Sequence, residues 1–233
     1  MPIAFEGVSY FKLTANIPYF CRKKKAIMFK HNHQELTTKR VLGLKLPTDP
    51  RWVNLAEMDL GEILTDHAYC EQKAATFCIS LIQQFPEREE LVSELAPIVA
   101  EEWGHFRAVL SEMKKRELKL GRQRKDEYVN KLLAFQRKGG SREDRLLEKL
   151  LVCALIEARS CERFRRLALD ISDEKLKTFY YKFMVSEAGH YRLFIKLAKL
   201  YNDPEKVDRR WEEYLAHEAE ILESLEVRGD RMH

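Results

Sequence analysis

The chain has 233 residues, of which 45% are hydrophobic and 33% are charged, and its formal net charge is +4 at pH 7. A chain of this length can bury a full core and is most simply one domain, and its composition excludes disordered and fibrous proteins. The small basic excess permits a polyanionic partner without requiring one. Five cysteines without a Cys-x-x-Cys motif predict reduced thiols in a cytoplasmic protein.

The N-terminal region is basic and aromatic, and residues 1–45 are predicted to form a loosely ordered arm. It lacks the apolar run and cleavage site of a secretory signal. No stretch of the chain approaches the roughly 20 apolar residues that span a bilayer. We therefore expect no association with a membrane.

Helix signals follow in chain order. Asp49 and Pro50 predict the start of a helix that runs to about Phe85, because Asp caps helices and Pro is favoured in the first turn. Pro97 predicts a kink or a break in the second helix. The further predicted helices run from about Glu87 to Glu117, from Asp126 to Arg137, from the Ser141 cap to near Ala168, from Asp173 (capped by Ser172) to Tyr201, and from Pro204 to about Val227.

Four of these helices are long, and no stretch shows the alternation that is typical of a β-strand. The predicted fold class is all-α: a ferritin-like four-helix bundle built from two repeated helix pairs, with additional shorter helices. Residues 46–202 are expected to form this bundle. Residues 203–233 are expected to form a C-terminal helix and tail packed on it.

The most informative motif is Glu-x-Gly-His, which occurs at residues 102–105 and again at residues 187–190. Each copy follows a lone Glu on the apolar face of the preceding helix, Glu71 in the first repeat and Glu157 in the second. In each motif the Glu and the His are three residues apart, so both side chains lie on one helix face. The chain therefore repeats a two-helix unit that offers two carboxylates and one imidazole.

Four carboxylates aimed at one core cost several kcal/mol each unless positive charge lies among them. A pair of divalent cations supplies that charge, and mixed carboxylate and imidazole ligands suit iron or manganese. Glycine inside a helix costs about 1 kcal/mol relative to Ala, so Gly104 and Gly189 indicate a tight space beside the metals, or a requirement of packing alone. The predicted metal ligands are Glu71, Glu102, His105, Glu157, Glu187 and His190.

For three nearby polar residues the evidence of a role at the metal site is weaker. Glu101 is adjacent to Glu102 but lacks its three-residue spacing to His105. His67 lies one turn before Glu71 and is expected to support the ligands from behind rather than to bind metal. Glu162 is a candidate for the same supporting role, although its spacing from Glu157 turns it elsewhere.

The stretch from Leu46 to about Leu200 resembles the tRNA 2-methylthio-N6-isopentenyladenosine hydroxylases, which are bacterial ferritin-like enzymes. Residues 1–45 and the tail after about Asn202 lie outside this resemblance. The segment at residues 154–164 is the most specific, because a metal site alone does not dictate Arg159 or Arg163. The matching segments are residues 66–75 (DHAYCEQKAA), 101–106 (EEWGHF), 154–164 (ALIEARSCERF) and 186–190 (SEAGH).

The resemblance implies an O2-dependent monooxygenase that hydroxylates the isopentenyl group of a modified adenosine beside the anticodon of tRNA. Its cofactor would be two iron ions, with Glu71 and Glu157 each binding one iron. Glu102 and Glu187 would bridge the irons, and one histidine of each motif would complete each site. The reaction needs an external electron donor, so an unidentified reductase or electron carrier is an expected partner. We expect the protein to be a monomer.

Basic residues near the end of the second predicted long helix indicate a surface for the phosphates of tRNA. Such charges are also common on solvated helix faces, so this indication is weaker than the metal motif. The candidate tRNA contacts are Lys114, Lys115, Arg116, Lys119, Arg122, Arg124 and Lys125.

Three other functions use the same ligand pattern. One is a ferritin- or rubrerythrin-like ferroxidase or peroxidase, although the chain has no rubredoxin-type cysteine motif. Another is a di-iron oxygenase acting on a lipid or other small molecule. The third is a helical scaffold or RNA-binding protein whose metal is purely structural.

Overall fold

The structure, a computed structural model, describes residues 41–233. Within that range the chain is helical and contains no strand, which confirms the predicted all-α class. A short 3-10 turn at Val41–Gly43 comes first. The α-helices are α1 (Trp52–Met58), α2 (Leu60–Gln84), α3 (Glu89–Lys115), α4 (Glu127–Ala134), α5 (Arg142–Asp170), α6 (Glu174–Tyr201) and α7 (Pro204–Ser224).

Four long helices form the bundle in two pairs, α2 with α3 and α5 with α6, and α3 also meets α6 between the pairs. This is the predicted architecture of two repeated helix pairs. Leucines of α3, α5 and α6 fill one end of the core, where α7 and α4 pack against the outside of the bundle. None of the helices in residues 41–233 is long and apolar enough to cross a membrane. The expected arm at residues 1–45 lies mostly outside the described residues.

The prediction of one continuous helix from Asp49 to about Phe85 is wrong, because two helices, α1 and α2, occupy this stretch. The backbone of Asp59 leaves the helical region (φ −143°, ψ 83°), and its side chain accepts a hydrogen bond from the Glu62 amide at 3.1 Å. Asp59 therefore caps α2 and separates it from α1. In the same way Asp173, rather than the predicted Ser172, caps α6. The predicted cap at Ser141 is confirmed as a full capping box with Asp144.

Helix α3 continues through Pro97, so of the predicted kink or break the break is wrong and the kink stays a prediction. Proline removes one backbone hydrogen bond and costs about 3 kcal/mol inside a helix. Burial of Leu91 and Leu95 before it and of Val109 and Met113 after it offsets this cost, because these apolar side chains lie inside the bundle.

The C-terminal segment after α7 returns to the start of the bundle. The Asp66 carboxylate accepts hydrogen bonds from the Met232 amide at 2.8 Å and from the Arg231 guanidinium at 2.9 Å. A Cβ at Gly229 would lie 2.2 Å from the backbone of Leu55, so only glycine fits there. These contacts carry His233, the last residue of this sequence, into the wall of an internal cavity.

Candidate metal centre

The middle of the bundle brings together the four glutamates that the repeat singles out. Glu71 comes from α2, Glu102 from α3, Glu157 from α5 and Glu187 from α6, and each is at most 7% exposed. They meet because each lies on the inward face near the middle of a helix of similar length, and the helices are packed side by side.

Both motif histidines turn their Nδ1 atoms toward these carboxylates. His105 Nδ1 lies 3.3 Å from Glu71 Oε2 and 3.6 Å from Glu187 Oε1. His190 Nδ1 lies 2.7 Å from Glu102 Oε1 and 3.0 Å from Glu187 Oε2. Each helix pair therefore contributes one imidazole whose Nδ1 faces the carboxylates.

The six predicted ligands form two overlapping groups of potential metal ligands. Within each group one ligand atom per residue lies within 4.8 Å of the others. Glu102 and Glu187 belong to both groups, whereas the other members belong to one. The first group is Glu71, Glu102, His105 and Glu187, and the second is Glu102, Glu157, Glu187 and His190.

The site has too little positive charge for its carboxylates. Burial, reinforced by the neighbouring carboxylates, raises the pKa of Glu71 and of Glu157 well above the usual range. Burial also opposes ionisation of Glu102, but hydrogen bonds from both imidazoles bring its pKa to about 2. Although burial lowers them, the pKa values of His105 and His190 rise to about 10 and about 11, because the carboxylates favour the imidazolium forms. Protons thus fill the role that cations would fill.

The donor set fits a pair of divalent cations. Glu187 Oε1 is buried and makes no hydrogen bond within the described residues, so it has bonding capacity directed into the cluster. Carboxylate oxygens with one imidazole per site suit iron or manganese rather than a structural zinc.

His67 lies directly behind Glu71, as the sequence predicts for a supporting residue. Its Nε2 is 2.8 Å from Glu71 Oε1, and its side chain is fully buried. The ring packs against Phe164 and Phe183, each with a centroid distance of 4.7 Å. Burial lowers the pKa of His67 well below its usual value, so the imidazole that lies beside Glu71 is neutral.

Glu162 does not support the site, contrary to the prediction. Its carboxylate binds Thr48 and, at 3.3 Å, Arg159, and it belongs to neither ligand group. Arg159 in turn binds Glu218 at 2.7 Å, and the Arg163 guanidinium lies 4.3 Å from the Trp52 ring centroid. The arginines that made this segment specific therefore anchor the segments around the bundle rather than the metal ligands.

The expectation of a tight space at the two motif glycines is also wrong. A Cβ built on Gly104 or on Gly189 meets no atom within 4 Å, and both residues are exposed. Close packing against the described residues therefore does not require glycine at either position.

A cavity of about 560 Å³ connects the carboxylates to the surface. At its inner end lie Glu71, Glu102, Glu157 and Glu187, and its outer end is formed by Gln123, Lys125 and Asn130. The walls between are mainly apolar and include Ala74, Phe77, Val152, Ile156 and Phe194. His233 and Ser160 complete one wall, where the His233 Nε2 and the Ser160 hydroxyl lie 2.9 Å apart. No sequence motif indicated this wall, because the contact joins residues far apart in the chain.

The predicted basic surface divides into structural and exposed residues. Arg124 is bound by Glu62 and, at 2.9 Å, by Asp230, so it anchors the C-terminal segment. Arg116 binds Asp173 at 2.8 Å and Glu112 at 3.1 Å. Lys115 is exposed and pairs with Glu112. Lys114, Lys119, Arg122 and Lys125 are exposed and form no ion pair within residues 41–233.

Comparisons with known proteins agree with this architecture. Residues 34–233 match the sequence profile of the family described as tRNA-(MS[2]IO[6]A)-hydroxylase (MiaE). The match includes the C-terminal segment that the resemblance in the sequence had left outside.

Two curated relatives carry the name tRNA 2-(methylsulfanyl)-N(6)-isopentenyladenosine(37) hydroxylase. The one from Pseudomonas putida is 36% identical over 78% of this chain and 87% of its own length. The one from Salmonella typhimurium is 26% identical over 72% of this chain and 79% of its own length. A solved structure, described as protein 43 with aldehyde deformylating oxygenase activity from Synechococcus, is 34% identical with a TM-score of 0.77. It covers 84% of this chain and 96% of its own.

Proposed function

The chain belongs to the family of tRNA 2-methylthio-N6-isopentenyladenosine hydroxylases, and from this premise we propose that it hydroxylates the isopentenyl group of that nucleoside in tRNA with O2 and two iron ions. The observation that supports this most strongly is the cavity that joins the carboxylate cluster to the exposed basic surface. An apolar cavity of about 560 Å³ is of the size that holds a small organic group, and its inner end is where the reaction must occur.

Glu71 and His105 would hold one iron, and Glu157 and His190 the other, with Glu102 and Glu187 shared. Bound as a pair, the irons would supply the two-electron activation of O2, using electrons from an external donor. The neutral His67 would keep Glu71 oriented toward its iron.

The walls of the cavity would select and orient the substrate. Phe77, Ile156 and Phe194 form a surface that suits the isopentenyl chain and excludes water from the reacting carbon. Gln123 and Asn130 at the opening offer hydrogen bonds to the base. Lys125 and the exposed basic residues around it suit the phosphates of the anticodon loop. A tRNA substrate supports a cytoplasmic location for the enzyme.

The test compares tRNA from cells that lack this protein with tRNA from cells that express it. After digestion to nucleosides, mass spectrometry should show one added oxygen on the isopentenylated adenosine only when the protein is present. Glu157→Ala should abolish the product, whereas Glu94→Ala, at a partly exposed position of α3, should leave it unchanged. Identical nucleosides in all strains would refute the proposed function.

One observation favours a second candidate, an oxygenase that acts on an aldehyde. The solved relative from Synechococcus is named for aldehyde deformylation, and the cavity walls of this chain are mainly apolar. If this is the reaction, purified protein supplied with iron, reductant and a long-chain aldehyde should release formate. If the substrate is tRNA, the isopentenylated nucleoside should be consumed when tRNA is supplied, and the aldehyde should release no formate.

A further inference from the structure

Glu101 lies on the outer side of both motif histidines. Its Oε2 is 3.4 Å from His190 Nε2, and its Oε1 is 3.8 Å from His105 Nε2. Both Nδ1 atoms point the other way, into the carboxylate cluster. A single carboxylate thus faces the outer nitrogens of the two imidazoles that belong to different helix pairs.

The repeat explains how one residue can face both histidines. Glu101 and Ser186 occupy equivalent positions, each directly before the shared glutamate of its motif. The two helices meet here, and the Ser186 hydroxyl donates a hydrogen bond to Glu101 Oε1 at 2.5 Å. A second carboxylate at position 186 would repel the first, whereas serine holds it in place.

The surroundings allow Glu101 to remain charged at this position. Its side chain is 47% exposed, so the carboxylate keeps part of its hydration. The exposed Gly104 and Gly189 add no side chain that would cover it. His190 Nε2 is buried and makes no hydrogen bond within the described residues, so a small approach by Glu101 would satisfy it.

We propose that Glu101 is a positioning residue that closes from these distances of 3.4 and 3.8 Å to accept hydrogen bonds from the Nε2–H groups of His190 and His105. An imidazole that donates from Nε2 carries its lone pair on Nδ1, which is the atom turned toward the shared carboxylates. Glu101 therefore sets the tautomer and orientation of both imidazoles at once, and Ser186 sets the position of Glu101. This inference rests on the metal-binding part of the proposed function and not on the identity of the substrate.

The test measures binding of Co²⁺ to the metal-free protein by calorimetry, without O2 or substrate. Glu101→Ala should weaken binding at both positions by about 10- to 100-fold, which is the usual effect of losing such a partner. Glu101→Gln keeps an acceptor oxygen and should lose less affinity, and Ser186→Ala should also lose less. Glu94→Ala, on the same helix and paired with the exposed Lys196, should bind as the wild type does.

The melting temperature of the metal-free protein separates positioning from folding. Because Glu101 is half exposed, Glu101→Ala should leave that temperature close to the wild-type value while affinity falls. Unchanged Co²⁺ affinity in Glu101→Ala would overturn the proposal, and so would weakening at one position only. If the wild type bound two Co²⁺ and Glu101→Ala bound two with the same affinities, the positioning role alone would fail. If the wild type bound none, the metal-dependent function itself would fail.

Discussion

Replacing Glu157 by glutamine should stabilise the metal-free protein. Glu157 is 7% exposed and faces the carboxylates of Glu187, Glu102 and Glu71, so burial and these neighbours raise its pKa. Each unit of that increase removes about 1.4 kcal/mol of stability at a pH above the folded-state pKa. An amide of the same shape carries no charge, so we expect the free energy of unfolding to rise by about 1–3 kcal/mol at pH 8.

The sign of this effect depends on pH in a defined way. A carboxyl group whose pKa is raised by folding costs nothing while it is protonated in both states, below its unfolded pKa of 4.5. The cost appears as the pH rises above that value, because only the unfolded state then releases the proton. The advantage of Glu157→Gln should therefore be large at pH 8 and should shrink toward zero as the pH approaches 4.5.

Denaturant unfolding followed by circular dichroism, with a chelator present, measures this difference at pH 8 and at pH 5. Glu94→Gln provides a control at a partly exposed position of α3, and it should change stability little at either pH. Added Fe²⁺ should reverse the order at pH 8, because the wild type gains stability by binding metal and the variant gains less. If metal-free Glu157→Gln is less stable than the wild type at pH 8, then buried carboxylates without a cation do not destabilise this core, and the reasoning is refuted.

Three further predictions follow from the cavity, the basic surface and the glycines. Ala74→Phe should fill the cavity and lower kcat/KM for tRNA at least tenfold, while the variant still binds two irons. A variant that binds fewer irons than the wild type would contradict this prediction. Charge reversal at Arg122 and Lys125 together should raise KM for tRNA about tenfold at low salt, and a KM that stays unchanged would remove these residues from the tRNA surface. Gly104→Ala should raise the free energy of unfolding by up to about 1 kcal/mol, because its Cβ meets open space. Gly229→Ala should lower it by about 1–3 kcal/mol, because its Cβ would meet the backbone of α1; equal effects at the two glycines in denaturant unfolding would contradict both assignments.

The sequence could predict the bundle and the meeting of its six candidate ligands because these depend on helix periodicity. Glu71 and Glu157 were found by their position on apolar faces, and the structure brings them to the same centre as the two motifs. Their role as iron ligands stays a prediction. The glycine interpretation failed because a helical pattern shows which residues are small but not what lies opposite them.

Contacts between distant segments were beyond sequence reasoning. The break at Asp59 depends on a local cap that competes with a continuous apolar pattern. Arg124 looked like a residue for RNA, but Glu62 and Asp230 bind it from segments far away in the chain. Glu101 was set aside because its spacing to His105 is wrong for a shared metal, whereas its position facing both histidines appears only when the two repeats are packed together.

The most direct test of the proposed chemistry is the source of the oxygen atom in the modified nucleoside. Purified protein loaded with Fe²⁺, given a reductant and tRNA carrying the isopentenylated adenosine, would react under ¹⁸O2 in ordinary water. Mass spectrometry of the digested tRNA should then show one ¹⁸O in the hydroxylated nucleoside, and none should form with Glu157→Ala. A product that carries only ¹⁶O, or no product with fully loaded protein, would contradict an oxygenase built on these six residues.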